Sequence, residues 1–160
     1  MLKISKLALT LVPAAMLAFN VSAADDEQPE HKPQKSPKGA KAYIVNLKDG
    51  RTVKANKKGE IKVIFGLTGM GICPAGITAS GVPIPNTGHH HLLVDDPKVD
   101  LKKPLPADQP DTIKHFGKGQ TETTLKLKPG KHTLQLVLGD YAHVPHVPPV
   151  MSKKITITVK

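Results

Sequence analysis

The sequence predicts an all-β domain, a small antiparallel immunoglobulin-like β-sandwich with long Gly/Pro-rich loops. Three observations predict it: short runs in which apolar and polar residues alternate, turn signals between those runs, and no window with a clear helical period. "AYIVNL" (42–47), the pair Asp49-Gly50 and "RTVKA" (51–55) read as an opening hairpin, because Asp-Gly supplies the positive-φ residues of a tight turn. "EIKVIFGL" (60–67) sets Ile61, Val63, Phe65 and Leu67 on one face. "TETTLKLK" (121–128) repeats the alternation with Leu125 and Leu127, and Pro129-Gly130 turns the chain into "HTLQLVLGD" (132–140), where Leu134, Leu136 and Leu138 share a face. "KKITITVK" (153–160) closes the domain with Ile155, Ile157 and Val159 in phase.

Two stretches do not fit strands. Residues 66–88 hold six glycines and three prolines around Met70 and Cys73, and residues 95–119 mix prolines with alternating charges. Loops of that length in a compact domain are usually functional or disordered, and both border histidines.

The N-terminus carries an export pattern: Lys3 and Lys6, an apolar run from Leu7 to Phe19, then Val21-Ser22-Ala23 as a cleavage site. We expect a signal peptide over 1–23, a disordered basic tether over 24–40 with His31 solvated, and a single β-sandwich domain over 41–160. The expected location is periplasmic or secreted, and no later segment is apolar enough to span a bilayer. Loss of the signal removes two lysines and leaves 21 basic against 13 acidic side chains. That surplus favours acidic partners in general. With no tryptophan and 3% aromatics the chain lacks the stacking residues of a nucleic-acid binder, so no nucleic acid is expected. Cys73 is the single cysteine, which excludes an intramolecular disulfide. It reads as a small buried hydrophobe, a soft metal ligand or a thiol that pairs with another chain.

The signal above a plain sandwich is histidine. Seven of the eight histidines lie at 89, 90, 91, 115, 132, 143 and 146. In an extended strand His89 and His91 share one face with Cα atoms about 6.6 Å apart, a span two imidazoles can close around one ion, while His90 points the other way. "YAHVPHVPPVM" (141–151) holds His143 and His146 in a proline-rich segment expected to be extended or left-handed helical, with the two rings on one side about 9 Å apart. One of them is expected to join the strand pair and the other to lie nearby. "KHFGKGQTE" (114–122) sets His115 before two glycines, a turn able to aim its ring at the triplet. His132 is in phase with Leu134 and reads as a satisfied core histidine. Met70 and Met151 are candidate thioether ligands if the ion is Cu(I). Asp95 and Asp96 are candidates to orient the imidazoles. For every one of these residues ordinary packing or hydrogen bonding is the competing reading.

No catalytic set is apparent. Ser80 and Ser152 lack motif context, and neither G-x-S-x-G nor H-E-x-x-H occurs. Asp95 or Asp140 would be the base if the protein were a metal hydrolase, but the expectation is that it is not an enzyme.

"GLTGMGICPAG", "TGHHHLLVD" and "HFGKGQTETTLKLKPGKHTLQLVLGDYAHVPHVPPVMSKKITITV" together resemble a family of small bacterial secreted domains, domain-of-unknown-function family 4399. The resemblance covers most of residues 61–159 and includes all seven of those histidines. The position of Cys73 is commonly a small apolar residue there, a departure that weakens a ligand role for it. It implies an envelope location and a β-sandwich, and supplies no activity. Function must then be argued from the site. The sequence supports a secreted, histidine-rich metal-binding protein, with copper the first cofactor and zinc the second, held by His89, His91, His115, His143 or His146, and Met70 or Met151. The rival reading is a cell-envelope module that contacts peptidoglycan, another acidic polymer or a partner protein.

Overall fold

The structure, a computed structural model, describes residues 31–106 and 109–160. The signal peptide and the first part of the tether, residues 1–30, lie outside the described residues.

Two sheets make an immunoglobulin-like β-sandwich. The smaller contains β1 (Lys41–Ile44), β3 (Glu60–Thr68) and β9 (Glu122–Lys126) in the order β1-β3-β9, all antiparallel. The larger runs in the order β2 (Thr52–Val53), β11 (Ile155–Val159), β10 (Gly130–Gly139), β7 (Thr87–Val94) and β4 (Gly71–Ile72), and β8 (Ile113–His115) pairs with β7. A small hairpin, β5 (Thr78–Ala79) with β6 (Val82–Pro83), stands apart. The central orders, β1-β3-β9 facing β11-β10-β7, are the A-B-E and G-F-C arrangement of immunoglobulin domains. Among the described residues there is no helix, so none is long and apolar enough to cross a membrane.

The alternating runs do what their period demands. Ile61, Val63 and Phe65 of β3 and Leu125 of β9 meet Leu134, Leu136 and Leu138 of β10 and Ile155, Ile157 and Val159 of β11 in one buried cluster. A second cluster lies on the other face of the larger sheet, where Leu93 of β7, Val137 of β10 and Ile113 of β8 pack under Leu105. β7 is therefore buried on both faces, which its unbroken run "HHHLLV" reflects.

Two expectations are corrected. Asp49-Gly50 does not close a hairpin: β1 pairs with β3, while β2 runs parallel to β11. The turn is held instead by β11, with Thr156 N–H donating to Asp49 Oδ1 and Gly50 N–H donating to the Thr156 carbonyl. The antiparallel sandwich is otherwise as expected, with β2 and β4 adding short parallel pairs at the ends of the larger sheet. Finally, residues 31–40 are not a free tether. Val147 N–H donates to the Gln34 carbonyl at 2.9 Å and Ser36 N–H to the Val147 carbonyl at 3.0 Å, so this segment lies along the loop after β10. His31 is bonded to the side chain of Asp140 rather than solvated.

Candidate metal centre

β7 fixes the floor of the site. With strand alternation, His90, Leu92 and Val94 point into the sandwich and His89, His91 and Leu93 point outward. Antiparallel pairing sets His115 of β8 directly opposite His91, and directly opposed residues share a face. On the other side of β7, Gly139 and Val137 of β10 oppose His89 and His91. The outer face of the sheet thus divides into an apolar half, around Leu93 and Val137, and an imidazole half.

His143 completes that half. It sits in the loop after β10 in the left-handed region, φ 68°, a conformation uncommon for a residue with a Cβ and one that concentrates at functional sites. Ring centroids of His89 lie 4.7 Å from His91, 5.0 Å from His115 and 5.0 Å from His143. His115 and His143 are 4.7 Å apart, and His91 stacks on His115 at 5.1 Å with an interplanar angle of 26°. One ligand nitrogen from each of His89, His115 and His143 falls within 4.8 Å of the others, and these three residues can hold a metal ion. Tetrahedral coordination at about 2.0–2.1 Å from the metal sets nitrogens about 3.4 Å apart, a closure that rotation of the imidazoles supplies. His89 and His91 are fully buried beneath, His143 is half-buried and His115 is exposed, so an ion reaches the trio from the solvent side.

The electrostatics leave the buried lone pairs free. Burial, reinforced by the imidazoles of His143 and His115, holds the His89 pKa down at about 3. Burial and then His89 and His115 hold that of His91 at about 2. Burial, then His143, lowers the pKa of His115 as well. Neither ring nitrogen of His89 or His91 has a hydrogen-bond partner. Buried polar groups are normally paired, so two unpaired rings against two more imidazoles make this the candidate site. His90 is different: it lies in the core with its ring 5.2 Å from that of Phe65, both nitrogens unpaired, and burial lowers its pKa to about 4.

Two glycines make room for these rings. A Cβ on Gly139 would lie 2.8 Å from Cε1 of His91 and 3.3 Å from the carbonyl carbon of His143, so only glycine lets the His143 loop fold down over β10. A Cβ on Gly117 would overlap the His115 ring. Its carbonyl accepts from Ala75 N–H, and Gly76 N–H donates to Tyr141, so the loop after β4 ties the His115 segment to the His143 segment. Gly117→Ala should therefore displace the His115 ring while sparing the fold. We expect metal affinity to fall about tenfold with stability changed by less than about 1 kcal/mol, in parallel titration and denaturant unfolding. Unchanged affinity would show that the ring's placement does not matter.

The remaining sequence candidates lie elsewhere. Both nitrogens of His146 face main-chain carbonyls, Nε2 at 3.1 Å from Thr87 and Nδ1 at 3.4 Å from Leu138, so of the proline-rich pair His143 alone joins the cluster. Met70 packs against the sandwich core. Met151 pairs with Val137 on the outer face, which puts Val137 between its thioether and His91. Neither methionine completes the imidazole group. Asp95 orients a histidine, but it is His132: its carboxylate meets Nδ1 at 3.0 Å while Nε2–H donates to the Lys128 carbonyl. Burial alone would lower the His132 pKa, yet the Asp95 hydrogen bond and charge and the Lys128 carbonyl raise it. His132 is satisfied, as expected, at the margin of the sheet and not in the core. Asp96 pairs with Lys154, and Cys73 is a buried free thiol. Gly117 is one of the two glycines after His115 that the sequence marks as an aiming turn, whereas Gly139 is a contributor the sequence did not single out. A glycine inside the alternating run "LQLVLG" was the available signal for it.

The model of the family described as "Domain of unknown function (DUF4399)" matches residues 63–160. The chain belongs to the DUF4399 family. The matched span of this DUF4399 domain includes all four clustered histidines and both cradling glycines, whereas His31 lies outside it. No curated protein matches the sequence. Among solved structures, fibronectin(III)-like modules of Clostridium thermocellum CbhA match at 10% identity and a TM-score of 0.38, over 75% of this chain and 45% of that one. The chain thus spans less than half the length of that structure. The PKD domain of human KIAA0319 matches at 10% identity and a TM-score of 0.38, over 86% of this chain and 91% of that one. Neither likeness carries a functional inference.

Proposed function

We propose that this DUF4399 domain binds a transition-metal ion through His89, His115 and His143, with His91 as a fourth nitrogen donor. The observation that supports this most is the convergence of imidazoles from three separate chain segments, two of them buried with no other partner for their nitrogens. An all-imidazole donor set suits Cu(II) and Zn(II) over hard cations, which take oxygen. Cu(II) is the first choice because it stands highest for nitrogen sites in the divalent series, and Zn(II) is the second. The two methionines pack elsewhere, so no thioether favours Cu(I) here. The nitrogens that converge belong to three imidazoles, and His91 as a fourth donor would close a tetrahedral sphere against a reacting water, which makes binding the role proposed. The N-terminal export pattern supports a role outside the cytoplasm, in the periplasm or beyond.

Calorimetric titration of the metal-free protein with Cu(II) and with Zn(II) is the test. We expect one-to-one binding with a Kd of about micromolar or tighter for at least one of them, and a raised melting temperature in its presence. Binding of neither ion would overturn the proposal.

A further inference from the structure

His31 and Asp140 stand outside the imidazole cluster, yet they converge on the loop that carries one of its members. Asp140 is fully buried. Its Oδ1 accepts the main-chain N–H of Ala142 at 2.9 Å and of Val144 at 3.0 Å, the two residues that flank His143. Its own main chain closes the same turn: Asp140 N–H donates to the Val144 carbonyl and His143 N–H donates to the Asp140 carbonyl. Those bonds impose the left-handed conformation that aims His143 at the site.

The second carboxylate oxygen is taken by a residue 109 positions away. Nε2–H of His31 donates to Asp140 Oδ2 at 2.6 Å, which leaves Nδ1 to accept from the Tyr141 hydroxyl at 3.2 Å. The segment that bears His31 is pinned further on, where the Ser36 hydroxyl donates to the Pro148 carbonyl at 2.8 Å and main-chain bonds join Gln34 and Ser36 to Val147. Residues 31–36 therefore run the length of the His143 loop and bond it at both ends. A buried carboxylate stripped of one strong donor is costly and shifts to find another, and here a shift moves two amides on either side of His143.

From this arrangement we propose that residues 31–36 are a strap whose His31, acting through Asp140, is a positioning residue for His143. The proposal rests on the metal-binding reading for its functional meaning. It implies that a segment outside the family-matched span sets how tightly the ion is held.

A double-mutant cycle on the full mature chain tests it, with Cu(II) and Zn(II) titrated into the wild type, His31→Ala, His31→Gln, His143→Ala and His31→Ala/His143→Ala. We expect His31→Ala to weaken binding about tenfold, His31→Gln to restore most of the loss because its amide still donates to the carboxylate, and His31→Ala to have no further effect once His143 is gone. An equal loss in both backgrounds, or no loss in either, overturns the proposal. If the wild type binds neither ion, the metal-binding reading fails on its own, and the strap is then read from the imidazole nitrogen signals of the metal-free protein. His31→Ala should shift those of His143 and leave those of His132 in place. Unshifted His143 signals overturn it.

Discussion

His89→Ala should abolish high-affinity metal binding, with a fall of more than about 100-fold in the association constant for Cu(II) and Zn(II). Residues that merely orient ligands cost 10–100-fold when removed, so loss of a ligand lies beyond that range. His89 lies at centroid distances of 4.7–5.0 Å from the other three rings and is the buried member of the trio, so its removal leaves His115 and His143 without their buried partner. His132→Ala is the matched control. Both of its nitrogens are committed to Asp95 and Lys128, so affinity should be unchanged. Titration of the two variants side by side decides the matter. Retention of wild-type affinity by His89→Ala would remove the site from β7.

The second large effect is acid instability of the metal-free domain, and His90 exposes it. In the unfolded chain each histidine takes a proton near pH 6.5, whereas in the native state His91, His89 and His90 resist protonation down to about 2, 3 and 4, chiefly because they are buried. Below pH 6.5 the unfolded state binds more protons than the native state, so stability is intact above that value and is lost as pH falls toward the native pKa values. Each pH unit costs up to about 1.4 kcal/mol per histidine, and three of them draw heavily on a total stability of about 5–15 kcal/mol. We expect the metal-free protein to lose most of its stability between about pH 6 and pH 4. His90→Leu should shift that acid transition to lower pH and should also raise stability at pH 7 by about 1 kcal/mol, because it replaces a buried ring with two unpaired nitrogens by an apolar side chain of similar volume. Denaturant unfolding at pH 7 and pH 5 measures both. A His90→Leu variant less stable than the wild type at pH 7 would show that His90 makes a contact worth keeping.

Much of the fold was legible because period-two patterns survive wherever one face is buried and the other is wet. β3 and β11 are such strands, as is the first half of β10, and Ile61, Leu136 and Ile157 all point where alternation puts them. The opening hairpin was misread because Asp49-Gly50 reports a turn and says nothing of which strands it joins; its flanks belong to different sheets. β8 looks like loop in the sequence because three residues, Ile113–His115, are too few to show a period. At the site, strand geometry alone separated His89 and His91 from His90. The choice of His143 over His146 was not visible, because it depends on a left-handed residue and on the hydrogen bonds of Asp140, neither of which a proline-rich pattern encodes. The thioether candidates failed for a related reason: proximity in sequence to a histidine loop carries no information about which side of a sheet a methionine occupies.

β8 is a short edge strand that pairs with β7 over three residue pairs, at the end of a long connection from β7. An ion gripped by His89, His115 and His143 would act there as a reversible staple, closing two large loops that the backbone alone leaves cheap to open. That edge carries His115, one of the three candidate ligands. Resistance of that edge to proteases would then follow the supply of metal, so that a starved population of molecules is trimmed first.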